Sequence, residues 1–335
     1  MVYTRKIKKE VCIMKTVLLT NEYTGRPLEI IREALPQGFE IVFPQSQTQN
    51  ALEEAIAGAD YLLAGGRLKI TADVLENAKR LSMIQRSGVG LDSIDLDAVK
   101  KSGIPLYVNK GVNAQSVAEH TLLLILASLR RLTVIDRNTR SGIWKKQEQG
   151  VTTHELCGKT VGIVGMGSVA KTLVSLLAPF RVKILYSDIE RADEEFEKAY
   201  GLEYVPFIDL LLNSDIISLN CALTPQTQWL LNTQQLWHAK TGVIIVNTAR
   251  GGLINMPALY HALVNGQVGF AALDVHETEP LPENYPLASL ENVILTPHIA
   301  GVTADSFAAM MQDAFRNIVC FDEGRLDEIE QYRYI

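Results

Sequence analysis

Cysteine is scarce in this chain, and none of Cys12, Cys157, Cys221 and Cys320 forms a C-x-x-C pair. That scarcity argues against a disulfide framework or a thiolate metal site and suits a reducing, cytoplasmic setting. Excess positive charge is missing too. A net charge of −6 leaves no electrostatic footprint for nucleic acid or an anionic membrane surface. Long apolar runs are also absent: the longest, Thr121 to Leu129, is too short to span a bilayer. Basic residues gather near the start, as Arg5, Lys6, Lys8 and Lys9, but no apolar core or small-residue cleavage site follows them. A signal peptide is therefore not expected. Residues 1–13 read as a disordered extension ahead of Met14-Lys-Thr-Val-Leu-Leu-Thr20, where a first strand begins. Repeats and low-complexity tracts are absent.

What the chain does contain is a steady alternation of short apolar runs with helix-like segments, which predicts parallel sheets in an α/β architecture. Strands are expected at 16–19, 40–43, 61–64, 83–86 and 106–108. A second series is expected at 161–164, 182–186, 216–219, 243–246, 269–273 and 293–295. Helical patterns separate the first series at 28–34, 52–56, 72–78 and 96–101. Each series is large enough to bury its own sheet, and 335 residues suffice for two domains. The segment Ala114 to Asn138 reads as one long helix. Ser116, Glu119 and His120 punctuate its apolar, Leu-rich surface, so it is expected to be buried between domains or subunits. Helical patterning resumes after Thr303 through Phe307, Met310, Met311, Ala314 and Ile318, and this helix is expected to cross back to the first domain. Two linkers would then flank a cleft, a common setting for a ligand.

One motif carries more chemistry than the rest. The apolar strand Val161 to Val164 runs into Gly165-Met166-Gly167-Ser168-Val169-Ala170, and a helical segment follows. Gly165 would allow the tight turn, Gly167 would let backbone N–H groups approach a pyrophosphate, and Ala170 would let helix pack on strand. The helix start adds unpaired donors and a positive dipole end. Asp188 closes the next strand about twenty residues on, where a carboxylate accepts hydrogen bonds from the adenine ribose. An acid there repels a 2′-phosphate, so the pattern points to NAD rather than NADP.

Three further motifs stand at predicted strand ends, the edge that faces the cofactor crevice in doubly wound sheets. In Asn247-Thr248-Ala249-Arg250-Gly251-Gly252, the Arg250 fork suits bidentate capture of a carboxylate, or it forms a surface salt bridge. In Asp274-Val-His276-Glu277-Thr-Glu279-Pro280, Asp274 could approach a nicotinamide amide, and Glu279, or with less support Glu277, could hold a histidine. A solvated acidic loop is the competing reading. In Thr296-Pro-His298-Ile-Ala-Gly301, His298 follows a fixed proline, and an imidazole suits proton transfer near neutrality. His120, His154, His238, His261 and His276 are read as structural. Upstream, Ser87-Gly88-Val89-Gly90-Leu-Asp92 is either an anion-binding backbone nest or a tight βα turn. Arg67, after Gly65-Gly66, is a second candidate anion contact.

In this order, and together with Ser116-Val-Ala-Glu-His120 and Leu223-Thr-Pro-Gln-Thr227, these motifs closely resemble the D-isomer-specific 2-hydroxyacid dehydrogenase family. The likeness covers nearly everything after Met14. Ala170 departs from the family's usual glycine, and His276 stands where phenylalanine is frequent. The resemblance implies two doubly wound parallel-sheet domains with a cleft between them. One is a flavodoxin-like substrate domain from residues 1–112 and 303–335, and the other an inserted Rossmann NAD domain over 113–302. It implies Arg250, Glu279 and His298 as the catalytic set and a homodimer as the assembly. Cofactor contacts fall on Gly165, Met166, Gly167, Ser168, Val169, Asp188, Thr248, Ala249, Arg250, Asp274, His298 and Gly301. Substrate contacts fall on Arg67, Ser87, Gly88, Val89, Gly90, Arg250 and His298. No metal is implied. The expected reaction is hydride transfer between NAD and C2 of a D-2-hydroxy or 2-oxo acid, of the phosphoglycerate dehydrogenase or hydroxypyruvate/glyoxylate reductase type. Trp144-Lys145-Lys146 lies where relatives contribute a substrate-side loop, so its lysines either meet a phosphate or are simply solvated. The chain ends soon after the return helix, so a C-terminal regulatory domain is not expected. A reading from another class is a dinucleotide-sensing, corepressor-like binding protein, which can retain the same three residues. Motifs of the formate-oxidising relatives are not found.

Overall fold

The computed structural model describes residues 14–335; the expected extension at 1–13 lies outside the described residues. The described chain forms two compact units, one from residues up to Asn113 with Ala304–Ile335, the other Ala114–Thr303.

In the smaller unit, strands β1 (Lys15–Leu19), β2 (Phe39–Val42), β3 (Tyr61–Ala64), β4 (Met83–Arg86) and β5 (Leu106–Val108) form a wholly parallel sheet of order β2-β1-β3-β4-β5. That is the flavodoxin-like order. Helices α1 (Arg26–Ala34), α2 (Gln49–Ala55), α3 (Ala72–Asn77) and α4 (Leu96–Ser102) connect the strands. Local chemistry sets their ends. The Asp95 carboxylate caps α4 by accepting from Ala98 N–H, and Gly103 closes it at φ 71°.

The larger unit opens with α5 (Ala114–Leu129), α6 (Leu132–Arg140) and α7 (Lys146–Gly150). The single helix expected over 114–138 is therefore two. Arg131 turns left-handed at φ 47°, and the Leu129 carbonyl accepts from His154 N–H. Up to Leu129 the helix is held in a core on several faces, whereas α6 buries no residue.

Strands β6 (Thr160–Val164), β7 (Lys183–Ser187), β8 (Leu202–Tyr204), β9 (Ile216–Leu219), β10 (Val243–Asn247), β11 (Val268–Leu273) and β12 (Val293–Leu295) follow. Their order, β12-β11-β10-β9-β6-β7-β8, is the doubly wound dinucleotide-fold pattern with one strand added beyond β11. Helices α8 (Ser168–Leu177), α9 (Glu194–Tyr200), α10 (Phe207–Asn213), α11 (Thr233–His238) and α12 (Met256–Val264) cover both faces. Consequently β6, β9 and β10 are buried almost throughout and read as mostly apolar runs rather than alternating ones. Gly162 lies in β6 because a Cβ there would stand 2.2 Å from Ser214 Oγ and 2.7 Å from Leu210 Cδ2. Strand β8 was not expected: it is a half-exposed edge carrying Glu203.

The last helix, α13 (Ala304–Asp322), packs on β4 and α1 of the smaller unit, burying Met311, Ala314, Phe315 and Ile318. No helix among the described residues is long and apolar enough to cross a membrane.

Candidate active site

Doubly wound sheets bind ligands where the strand order reverses, here between β6 and β9. Gly165 follows β6 at φ 91°, and a Cβ on it would lie 2.7 Å from the Cys221 backbone nitrogen beyond β9. Only glycine fits. Gly167 differs: nothing stands within 4 Å of where its Cβ would be, so its backbone faces open space at the head of α8. The N–H groups of the first turn, Ser168 and Val169 included, have no intrahelical acceptor. Ala170 is fully buried with Ala118 where α8 packs on α5. A glycine cradle beside a helix N-terminus fits a pyrophosphate. Asp188, one residue beyond β7, accepts from Met166 N–H with one carboxylate oxygen and from Glu190 N–H, at 3.3 Å, with the other. The Met166 N–H thus fixes the acid to the glycine loop.

Three neighbouring parallel strands, β10, β11 and β12, deliver the other motifs from their C-terminal ends. After β10, Thr248 is buried and its hydroxyl lies 2.8 Å from that of Thr121 on α5. The Asn247 side chain accepts from Ala249 N–H (3.0 Å) and donates to the Arg250 carbonyl (2.8 Å), while Arg250 Nη1 donates to the Ala249 carbonyl at 2.7 Å. A Cβ on Gly251 would sit 2.0 Å from the His276 carbonyl carbon, so the loops after β10 and β11 touch backbone to backbone.

His298 and Glu279 meet directly, with Nδ1 donating to Glu279 Oε2 at 2.8 Å and both side chains partly exposed. A carboxylate only accepts, so Nδ1 carries a proton and Nε2 is the nitrogen left to exchange one. The other Glu279 oxygen accepts from His276 N–H at 2.9 Å. Glu277, the weaker candidate, instead accepts from the Trp229 indole N–H.

His298 adopts φ 54°, a left-handed conformation that costs a non-glycine residue about 1–3 kcal/mol and persists only when its surroundings impose it. Asp274 imposes it. Its carbonyl accepts from His298 N–H at 2.7 Å, and its fully buried carboxylate accepts from Ile299 N–H (3.0 Å), Ala300 N–H (2.9 Å) and the Thr296 hydroxyl. Asp274 therefore organises the loop that bears the histidine, and Gly301 follows directly on that loop. His120, read as structural from the sequence, lies with Nε2 3.3 Å from Thr296 Oγ1 and 3.6 Å from Asp274 Oδ1. His276 is buried and pairs Nε2 with the Thr296 carbonyl at 3.0 Å. Both belong to the polar layer beneath His298, and no periodicity or spacing could have signalled them.

In the smaller unit, Ser87, Gly88, Val89 and Gly90 follow β4. None of them has a positive φ. Arg86, unremarked in the sequence, braces that segment. Its Nε donates to the Gly90 carbonyl (2.7 Å) and its Nη1 to the Ala64 carbonyl (2.8 Å). Arg67 is exposed on the loop after β3. Among the lysines after Trp144, Lys145 pairs with Glu148 at 3.4 Å, and Trp144 itself is 81% exposed.

Residues 122–300 match the family model described as D-isomer specific 2-hydroxyacid dehydrogenase, NAD binding domain. A glyoxylate reductase of Thermofilum pendens is 40% identical over 260 residues, 77% of each chain. A hydroxypyruvate reductase of Thermotoga maritima is 37% identical over 77% of this chain and 83% of its own. Phosphoglycerate dehydrogenases are also among the relatives, and this chain spans about half their length. Among solved structures, a D-lactate dehydrogenase of Aquifex aeolicus complexed with NAD and lactic acid superposes with a TM-score of 0.83 at 28% identity, covering 95% of this chain and 98% of that one. A glycine cradle, a strand-end acid and a Glu–His pair are thus found on a chain that belongs to the D-isomer specific 2-hydroxyacid dehydrogenase family.

Proposed function

We propose that the protein reduces small 2-oxo acids of the glyoxylate and hydroxypyruvate class with NADH, and that Arg250, Glu279 and His298 carry the chemistry. The observation that carries this reading is the 2.8 Å Nδ1–carboxylate contact, which leaves Nε2 of a strained, tightly held histidine for proton transfer. NADH, when bound, supplies hydride to the 2-oxo carbon. The Gly165–Val169 turn and the α8 N-terminus hold the pyrophosphate, and Asp188 takes the ribose hydroxyls. Arg250 binds the substrate carboxylate and polarises the carbonyl. His298, as imidazolium beside Glu279, protonates the developing alkoxide through Nε2; in the oxidative direction neutral His298 accepts that proton. Thr248, Ala249, Asp274 and Gly301 line the nicotinamide end. Ser87 to Gly90 and Arg67 are offered as further substrate contacts, the smaller unit serving as the substrate domain. A homodimer and a cytoplasmic location complete the reading.

A panel of glyoxylate, hydroxypyruvate, pyruvate and 3-phosphohydroxypyruvate, read by NADH oxidation, tests it. Turnover with at least one unphosphorylated acid is expected. Arg250→Ala should lower kcat/KM by about 10²-fold or more while NADH still binds, as loss of a charge-assisted substrate contact requires. NADH binding without turnover on any 2-oxo acid would favour a sensor, and full turnover by Arg250→Ala would remove that residue from the mechanism.

A further inference from the structure

The loop after β7 is acidic, with six carboxylates and one arginine between Asp188 and Glu197. That arginine is not idle. Arg191 Nε and Nη2 donate to Glu197 Oε1 and Oε2, both at 2.8 Å, a fork-to-fork pair. Tyr186 on β7 donates its hydroxyl to the same carboxylate and accepts from Ala192 N–H at 3.0 Å. Together the guanidinium and the phenol hold the Glu197 carboxyl at about 2, well below its ordinary range. Glu197 is anchored on α9 with its side chain 8% exposed, whereas that of Arg191 is 64% exposed. The two ends of the pair are therefore unequal: a fixed acid restrains a cation that otherwise has room to move.

The restraint acts beside Asp188. The Arg191 guanidinium lies 5.6 Å from the centre of the Tyr204 ring, and the Tyr204 hydroxyl donates to the Asp188 carbonyl at 3.1 Å. In dinucleotide folds, a nearby arginine is what accommodates a 2′-phosphate. The guanidinium fork matches phosphate as it matches carboxylate, so one partner excludes the other.

We propose that Glu197 is a cofactor-specificity residue acting through Arg191: by holding the one guanidinium of this loop, it denies a 2′-phosphate its cation. Selection against NADP(H) is then shared between repulsion by Asp188 and retention of Arg191 by Glu197, an opposing element combined with a withheld attraction. The inference rests on the reading that Asp188 meets the adenosine ribose.

A mutant cycle on the full chain tests it, with NADH and NADPH dissociation constants read from nicotinamide fluorescence and folding checked by thermal melting. Asp188→Ala alone should improve NADPH binding only modestly. Adding Glu197→Gln should tighten it by about tenfold more, the scale of one charge-assisted phosphate contact. Adding Arg191→Gln to that double variant should erase the gain. Should Glu197→Gln fail to fold, Glu197→Asp takes its place, with a smaller gain expected because the retained charge still attracts Arg191 from a shorter reach, and with that gain again erased by Arg191→Gln. The proposal is overturned if Asp188→Ala alone reaches the affinity of the double variant, or if the gain survives loss of Arg191. Wild-type protein that binds neither dinucleotide would instead sink the underlying reading of Asp188.

Discussion

Glu197 shows how much one side chain can depend on its neighbours. Its carboxyl sits at about 2 rather than 4.5 because Arg191 and Tyr186 stabilise the charged form. A depressed value means that the folded protein holds the ionised acid more firmly than the unfolded chain does. The resulting stability is present above about pH 4.5 and is lost as the pH falls toward about 2. The urea midpoint of wild-type protein should therefore exceed that of Glu197→Gln near neutrality, and the gap should close on acidification through that window. A gap unchanged by acid would show that the two proteins differ for reasons other than this charge. Elsewhere, burial pushes the Cys221 thiol up to about 11, so this cysteine beside the glycine turn stays protonated and unreactive at neutral pH.

At the scale of the element, the turn between β6 and α8 contains two glycines that do different work. Gly165 needs its positive φ and its missing Cβ, since Cys221 backbone lies 2.7 Å away. Gly165→Ala should cost about 2–4 kcal/mol from strain and overpacking together, visible as a lower melting temperature. Gly167 has φ −74° and open space, so Gly167→Ala should melt within about 0.5 kcal/mol of wild type yet bind NADH more weakly. Equal melting losses at both positions would contradict this division. The strands were largely legible as short apolar runs, with the central β3 and β9 buried on both faces: the expected bounds of Tyr61–Ala64, Met83–Arg86, Leu106–Val108, Ile216–Leu219 and Val293–Leu295 coincide with the observed ones. Strand β8 was not legible, since a half-exposed edge with Glu203 carries no apolar run. Nor was the break at Arg131, where neither glycine nor proline marks the end of α5.

Across the whole molecule, each unit owns a parallel sheet and its own core clusters, and the larger unit gathers Arg250, Glu279 and His298 at three adjacent strand ends. The motifs that bear them were readable in the sequence because they are local and ordered. The layer that holds them was not. Asp274 clamps the His298 loop, and His120 reaches the same loop from a helix 176 residues away in sequence from Thr296. Such contacts exist only once the chain has folded. The account stands most directly on His298. Steady-state reduction of hydroxypyruvate by wild-type protein and His298→Asn, alongside NADH binding to each, measures its role. The account predicts a fall in kcat of about 10²–10⁴ with NADH affinity within about twofold, as loss of a general acid requires. A variant that retains wild-type kcat would contradict it.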